Sequence, residues 1–196
     1  MRVKGEPLAL ISFVNDGVIK RSLGVDKGAN LLRIAFHSPV WAEEFVRLAA
    51  IQMTMLSLKP DLRELVILYS SRILRSGYVW AHHQSISQAA GVSEEQLAAL
   101  SRGDATSAVF SEKEQALLQF VSKIAESGPM SKEEFLPIRK HFSEQELVEI
   151  VALHGLVYTK AKLTSAFEVE IDPFKGLDHF ESVIRAAGKP LKTGTR

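Results

Sequence analysis

Apolar residues recur at steps of three and four along most of this chain, and Pro or Gly fall mainly where one such run gives way to the next. The strict apolar/polar alternation of a half-buried strand is nearly absent, so the pattern predicts an all-α protein. Helix starts are expected near Asp26, at Ser38-Pro39, at Pro60, near Gly77, and at Ser93, Ser111, Ser131 and Ser143. In Ser111-Glu112-Lys113-Glu114, Ser131-Lys132-Glu133-Glu134 and Ser143-Glu144-Gln145-Glu146, a Ser precedes a Glu by three residues. That reciprocal pairing satisfies orphan amides at a helix start. Ser93-Glu94-Glu95-Gln96 repeats the device with Gln. Pro39 and Pro60 suit a first helical turn, where the missing amide hydrogen is harmless, and Gly91 falls where a helix would end in a left-handed turn.

The pattern also contains an echo. Leu62-Arg63-Glu64-Leu65-Val66-Ile67-Leu68 resembles Leu147-Val148-Glu149-Ile150-Val151-Ala152-Leu153, and a Glu-Glu-Phe precedes each run, at 43–45 and at 133–135. Two related helical halves would produce such an echo, and so would any two amphipathic helix pairs. Residues 26–170 carry the periodic pattern and are expected to form the core of a single domain spanning 1–196. Residues 1–25 and the Pro- and Gly-punctuated 171–196 are expected as arms outside it.

Composition narrows the function. The chain has 196 residues, 46% of them hydrophobic, which suits one folded domain. Lys plus Arg number 24 against 23 for Asp plus Glu, so the net charge of +1 offers no general attraction to nucleic acid or anionic lipid. No segment approaches the roughly 18 uninterrupted apolar residues of a membrane helix, and Leu8 to Val14 is too brief for a signal peptide. A cytoplasmic location is the expectation. There is no Cys, which removes disulfides, thiolate metal sites and any Cys nucleophile together. The six His residues form no His-x-x-x-His pair, and phosphate-loop and dinucleotide fingerprints are missing, so no metal or cofactor is expected.

The most informative stretch is Leu62 to Leu68, then Gly77-Tyr78-Val79-Trp80-Ala81-His82-His83, then Ala89-Ala90-Gly91-Val92-Ser93. On the second helix Ser76, Val79, Trp80 and His83 share one stripe, while His82 lies about 100° away. Glu64 stands nineteen residues before His83, and His83 eight before Gly91. This wording resembles the carboxymuconolactone decarboxylase and AhpD-like peroxidase family, in which a Glu on one helix precedes a Cys-x-x-Cys-x-x-x-His run on the next. The resemblance covers roughly residues 28–170, with Asn30 to Pro39 similar to the leading helix and Phe142 to Tyr158 to the closing one. The two thiol positions fall on Ser76 and Val79, so the chain is similar to the cysteine-lacking branch.

The resemblance implies an AhpD-like helical bundle, assembled as a trimer or hexamer, and a decarboxylase-like enzyme working on a small-molecule substrate. Peroxide reduction by the family's route needs a thiolate and a resolving thiol, which Ser76 and Val79 cannot supply. A carboxylate and an imidazole on adjacent helices can move a proton at neutral pH, so His83 is the expected acid/base and Glu64 its partner. Tyr78 and Trp80 are candidate pocket walls, and Arg72 a candidate clamp for a substrate carboxylate. His154 and Tyr158 on the closing helix are better read as packing residues than as site residues. A non-catalytic binding or assembly protein of the same fold is the alternative.

Overall fold

The structure, a computed structural model, describes residues 12–23, 29–126 and 128–172. Among them are nine α-helices and no strand. They are α1 (Asp16–Leu23), α2 (Asn30–Ala35), α3 (Pro39–Thr54), α4 (Pro60–Ile73), α5 (Gly77–Ala89), α6 (Glu94–Arg102), α7 (Glu112–Ala125), α8 (Lys132–Arg139) and α9 (Glu144–Ala166). The helix start expected near Asp26 lies outside the described residues, as does 173–196 of the expected C-terminal arm.

Helix starts follow the chemistry of the chain. Ser93, Ser111 and Ser131 each accept from the amide three residues on, while Gln96, Glu114 and Glu134 reach back to the cap's own amide. Ser143 and Glu146 make the same exchange, at 3.2 and 2.8 Å, ahead of α9. Pro39 and Pro60 open α3 and α4. At the other end of α5, Gly91 takes φ 106°, its amide donates to Gln88 O and Val92 N donates to Ser87 O. This left-handed ending satisfies two carbonyls that the helix leaves unpaired.

The contacts group into two compact units, residues 1–55 with 167–196, and residues 56–166. In the first, α1, α2 and α3 pack on one another. The segment expected as an N-terminal arm thus contains α1, with Ile19 fully buried and Asn15 Oδ1 accepting from Gly17 N at 2.7 Å. Its eight residues span barely two turns, too short for a periodic signal to stand out. Asp172 belongs to the same unit, its carboxylate accepting from Asn30 N at 2.9 and 3.1 Å.

The second unit is organised around α4, which packs against α5, α6, α7 and α9. Leu62 through Ser71 are all buried, so α4 has no solvent face along most of its length. Any polar group on it must therefore find its partner inside the protein.

Candidate functional site

The link from α4 to α5 sets the site. Arg75 adopts a left-handed φ of 54°, Arg75 N donates to Arg72 O, and Ser76 N donates to Ser71 O at 2.8 Å. This ends α4 as Gly91 ends α5, but with a side chain where glycine is the common choice. Ser76 then caps α5 by accepting from Val79 N at 3.3 Å. The chain reverses within three residues, and α5 packs back on α4.

This reversal brings Glu64 and His83 together in the interior. Glu64 is 0% exposed and His83 3% exposed, and the ring Nδ1 donates to Oε2 at 2.8 Å. The second carboxylate oxygen, Oε1, is buried without a hydrogen-bond partner. The nearest cation is Arg63, whose Nε lies 3.9 Å from Oε1 and is itself without a hydrogen bond. Burial pulls the Arg63 guanidinium below its ordinary pKa, and the adjacent Glu64 charge works against that pull.

Helix α9 supplies two further polar groups. His154 Nδ1 lies 2.9 Å from Ser70 Oγ, and burial lowers its pKa, which keeps the ring neutral near pH 7. Lys160 was not singled out by its sequence context. Its residue keeps intermediate exposure, and partial desolvation pushes its pKa down to about 8 against the opposing charge of Glu64. The signal that could have found it is position. Lys160 follows Val157 by three residues and Leu153 by seven, on the stripe that α9 buries.

The remaining expected residues lie as follows. Tyr78 is buried and stacks on His82 with ring centroids 4.3 Å apart, and Trp80 is half-buried on the same helix as His83. Arg72 is exposed, and its Nε donates to Ser101 O at 2.8 Å, so the structure does not bring it to Glu64 and His83. Tyr158 is 48% exposed. A cleft of about 450 Å³ in the same unit is lined by Tyr69, Thr106, Ser122, Lys123 and Glu134, and by neither Glu64 nor His83. Its one close cation–carboxylate pair, Lys123 Nζ to Glu134 at 2.8 Å, is already neutralised. Among the described residues of this unit, the buried side-chain atoms without a hydrogen bond are Arg63 Nε and Glu64 Oε1. Among the described residues no cluster of His, Cys, Asp or Glu could hold a metal ion, and no helix is long and apolar enough to cross a membrane.

Fold and site together define a helical protein with a buried carboxylate–imidazole pair and no thiol. Residues 39–123 match the model of the carboxymuconolactone decarboxylase family. The chain is 26% identical, with a TM-score of 0.64, to a protein of unknown function from Agrobacterium tumefaciens described as an AhpD-type antioxidant defence protein, over 71% of this chain and 96% of that one. It is 14% identical, with a TM-score of 0.72, to an uncharacterized peroxidase-related protein with an alkylhydroperoxidase AhpD core from Ralstonia eutropha JMP134, over 95% of this chain and 100% of that one. The debrominase Bmp8, as a Cys-to-Ala variant in complex with 2,3,4-tribromopyrrole, shares the fold at 20% identity and a TM-score of 0.64, over 88% and 86% of the two chains. No curated protein sequence matches. Residues 39–123 therefore resemble the carboxymuconolactone decarboxylase family, and the chain shares the AhpD-like helical fold.

Proposed function

We propose that this protein is a cofactor-independent enzyme that moves a proton on a small organic acid or lactone, by decarboxylation or isomerisation. His83 is its acid/base. The observation that carries the reading is the 2.8 Å contact between His83 Nδ1 and Glu64 Oε2, with both groups buried. A carboxylate on Nδ1 fixes the tautomer and stabilises the imidazolium, and Nε2 is the nitrogen that exchanges the proton with substrate. In the decarboxylating version the carbon–carboxylate bond breaks, its electron pair becomes an enolate, and the imidazolium returns a proton to carbon. Tyr78 and Trp80 offer aromatic surface on the same helix.

Thiol peroxidase chemistry is not available to this chain, which has no Cys. At the two positions where the family's thiols would fall, Ser76 caps a helix and Val79 is an alkyl group, 2% exposed. The protein works as a homo-oligomer in the cytoplasm. The support for assembly is that Trp41, Leu48 and Ile51 share one stripe of α3, continued by Met55 just past its end, and that all four are at least 38% exposed.

The test is carbon dioxide release from gamma-carboxymuconolactone, followed beside proton exchange into small lactones and keto acids. His83→Ala is expected to lower the rate by about 10²–10⁴-fold, the usual contribution of a positioned acid/base, and Glu64→Gln to lower it less. Full activity in His83→Ala would refute the assignment.

A further inference from the structure

Helix α9 is apolar on two sides. Leu147, Ile150, Leu153, Leu156 and Val157 are buried, and the helix packs against α4, α5 and α7. Away from that face Val148, Val151 and Tyr158 are 69%, 47% and 48% exposed. A helix that is apolar all round is ordinarily covered all round, and exposed apolar residues carry meaning when they line up. These do. Glu144, Val148, Val151, Gly155, Tyr158 and Lys162 are all exposed, follow one another at alternating steps of four and three residues, and fall within about 80° of one another around the helix. That is the spacing of a seam against another helix.

The seam is complementary to itself when reversed. About a point level with Leu153, an antiparallel copy sets Val148 opposite Tyr158, Val151 opposite Gly155 and Glu144 opposite Lys162, and a twofold axis makes each pairing twice. A Cβ built on Gly155 would meet nothing within 4 Å, so Gly155 is an open notch for the second copy's valine. At the two ends, opposite charges meet: the Glu144 side chain is 86% exposed, and Lys162 Nζ stands 5.3 Å from the Tyr158 ring centroid. A parallel copy would set Glu144 against Glu144 and Lys162 against Lys162, which like-charge repulsion disfavours. We propose that α9 pairs with α9 of a second copy, antiparallel about a twofold axis at Leu153. This adds a second face to the homo-oligomer reading, whose support lies on α3, and it does not depend on proton transfer by His83. The seam runs about 27 Å, a contact at the small end of specific interfaces, so pairing should depend on concentration.

Analytical ultracentrifugation of the intact chain over a wide concentration range tests this, with melting curves to check that each variant is folded. The wild type is expected to assemble in even numbers of chains, and Val151→Asp, a surface change, to halve the assembly. Glu144→Lys and Lys162→Glu should each weaken pairing by about tenfold, through two like-charge contacts per pair, and the double variant should restore it. Because the chain has no Cys, Ala152→Cys, beside the seam and next to the axis, gives a clean cross-link to its own copy with a short bis-maleimide. Val148→Cys should not, since its two copies lie about 15 Å apart along the seam. A monomeric wild type, an unchanged assembly in Val151→Asp, no rescue by the charge swap, or cross-linking of Val148→Cys as readily as Ala152→Cys each overturns the proposal. Leu48→Asp on α3 separates the two faces. Assembly lost there and intact in Val151→Asp keeps the homo-oligomer reading and refutes pairing through α9.

Discussion

Glu64 and Glu149 occupy the same place in two similar runs, LRELVIL and LVEIVAL, and the protein puts them to opposite uses. Glu64 sits on a helix buried on every side, is 0% exposed, and meets an imidazole. Glu149 sits on α9 between Val148, 69% exposed, and the buried Ile150, at the margin of the packed face. Its carboxylate accepts from Ser57 N at 3.1 Å, Ser57 Oγ at 2.9 Å and Leu58 N at 3.0 Å, just ahead of the start of α4. Burial acts to raise the Glu149 pKa, but these bonds and one from Gln145 outweigh it and hold the carboxyl below its ordinary value. A carboxylate with several donors at the edge of the protein is structural. One with a single donor and an unpartnered oxygen in the interior suits the proton-transfer role proposed for it.

The sharpest way to break this contrast is to truncate both residues. Glu64→Ala strands the His83 ring and the Arg63 guanidinium indoors and should cost about 3–5 kcal/mol in urea unfolding, as removal of one partner of a buried pair does. Glu149→Ala should cost about 1 kcal/mol, the usual value of a lost capping interaction. The Glu149 effect should also depend on pH. Because its folded pKa is depressed, its stabilisation is present above the unfolded value of about 4.3 and is lost as pH falls through the folded one. Equal costs at pH 7 would erase the distinction between the two sites.

A smaller effect of opposite sign is expected at Lys160. Its folded pKa, about 8, lies below the unfolded value of about 10.4, so burying the charged amine destabilises the unliganded protein most below pH 8. Lys160→Met should therefore raise stability at pH 7, by about 1–2 kcal/mol, with the gain fading as pH rises from 8 towards 10. A stabilising substitution is the signature of a residue kept for function. A loss of stability would mark Lys160 as structural.

The smallest effects belong to the helix ends that hold the site. Gly91 has φ 106° and open space around it, so Gly91→Ala should cost about 1–2 kcal/mol through backbone strain alone. Arg75 tolerates φ 54° with a side chain present, and Arg75→Gly should change melting by less than Gly91→Ala does and in the opposite direction. Matching losses would show that Arg75 carries contacts beyond its turn.

Much of this was legible in the residues themselves. The three capping boxes at Ser93, Ser111 and Ser131, the matching exchange at Ser143, the Pro starts and the Gly91 turn are local chemistry, decided within four residues and readable without the rest of the chain. The pairing of Glu64 with His83 was readable too, because a nineteen-residue separation bridges one helix, a short reversal and the next helix. Helix α1 was not, since two turns give periodicity too little length. Nor was Lys160, seventy-seven residues beyond His83 in a run where a lysine reads as a solvated surface residue.

By itself, then, the sequence determined the helices, their ends, the absence of thiol chemistry and the one local pair at the site. Only the tertiary structure decided which of two similar glutamates would be desolvated, that Arg72 would face Ser101 O, and that burial would lower the Lys160 pKa. The reason is physical. Caps and turns are satisfied by near neighbours, but desolvation and Coulomb energy depend on what packs across a helix, and α9 meets α4 over a separation that no local pattern encodes.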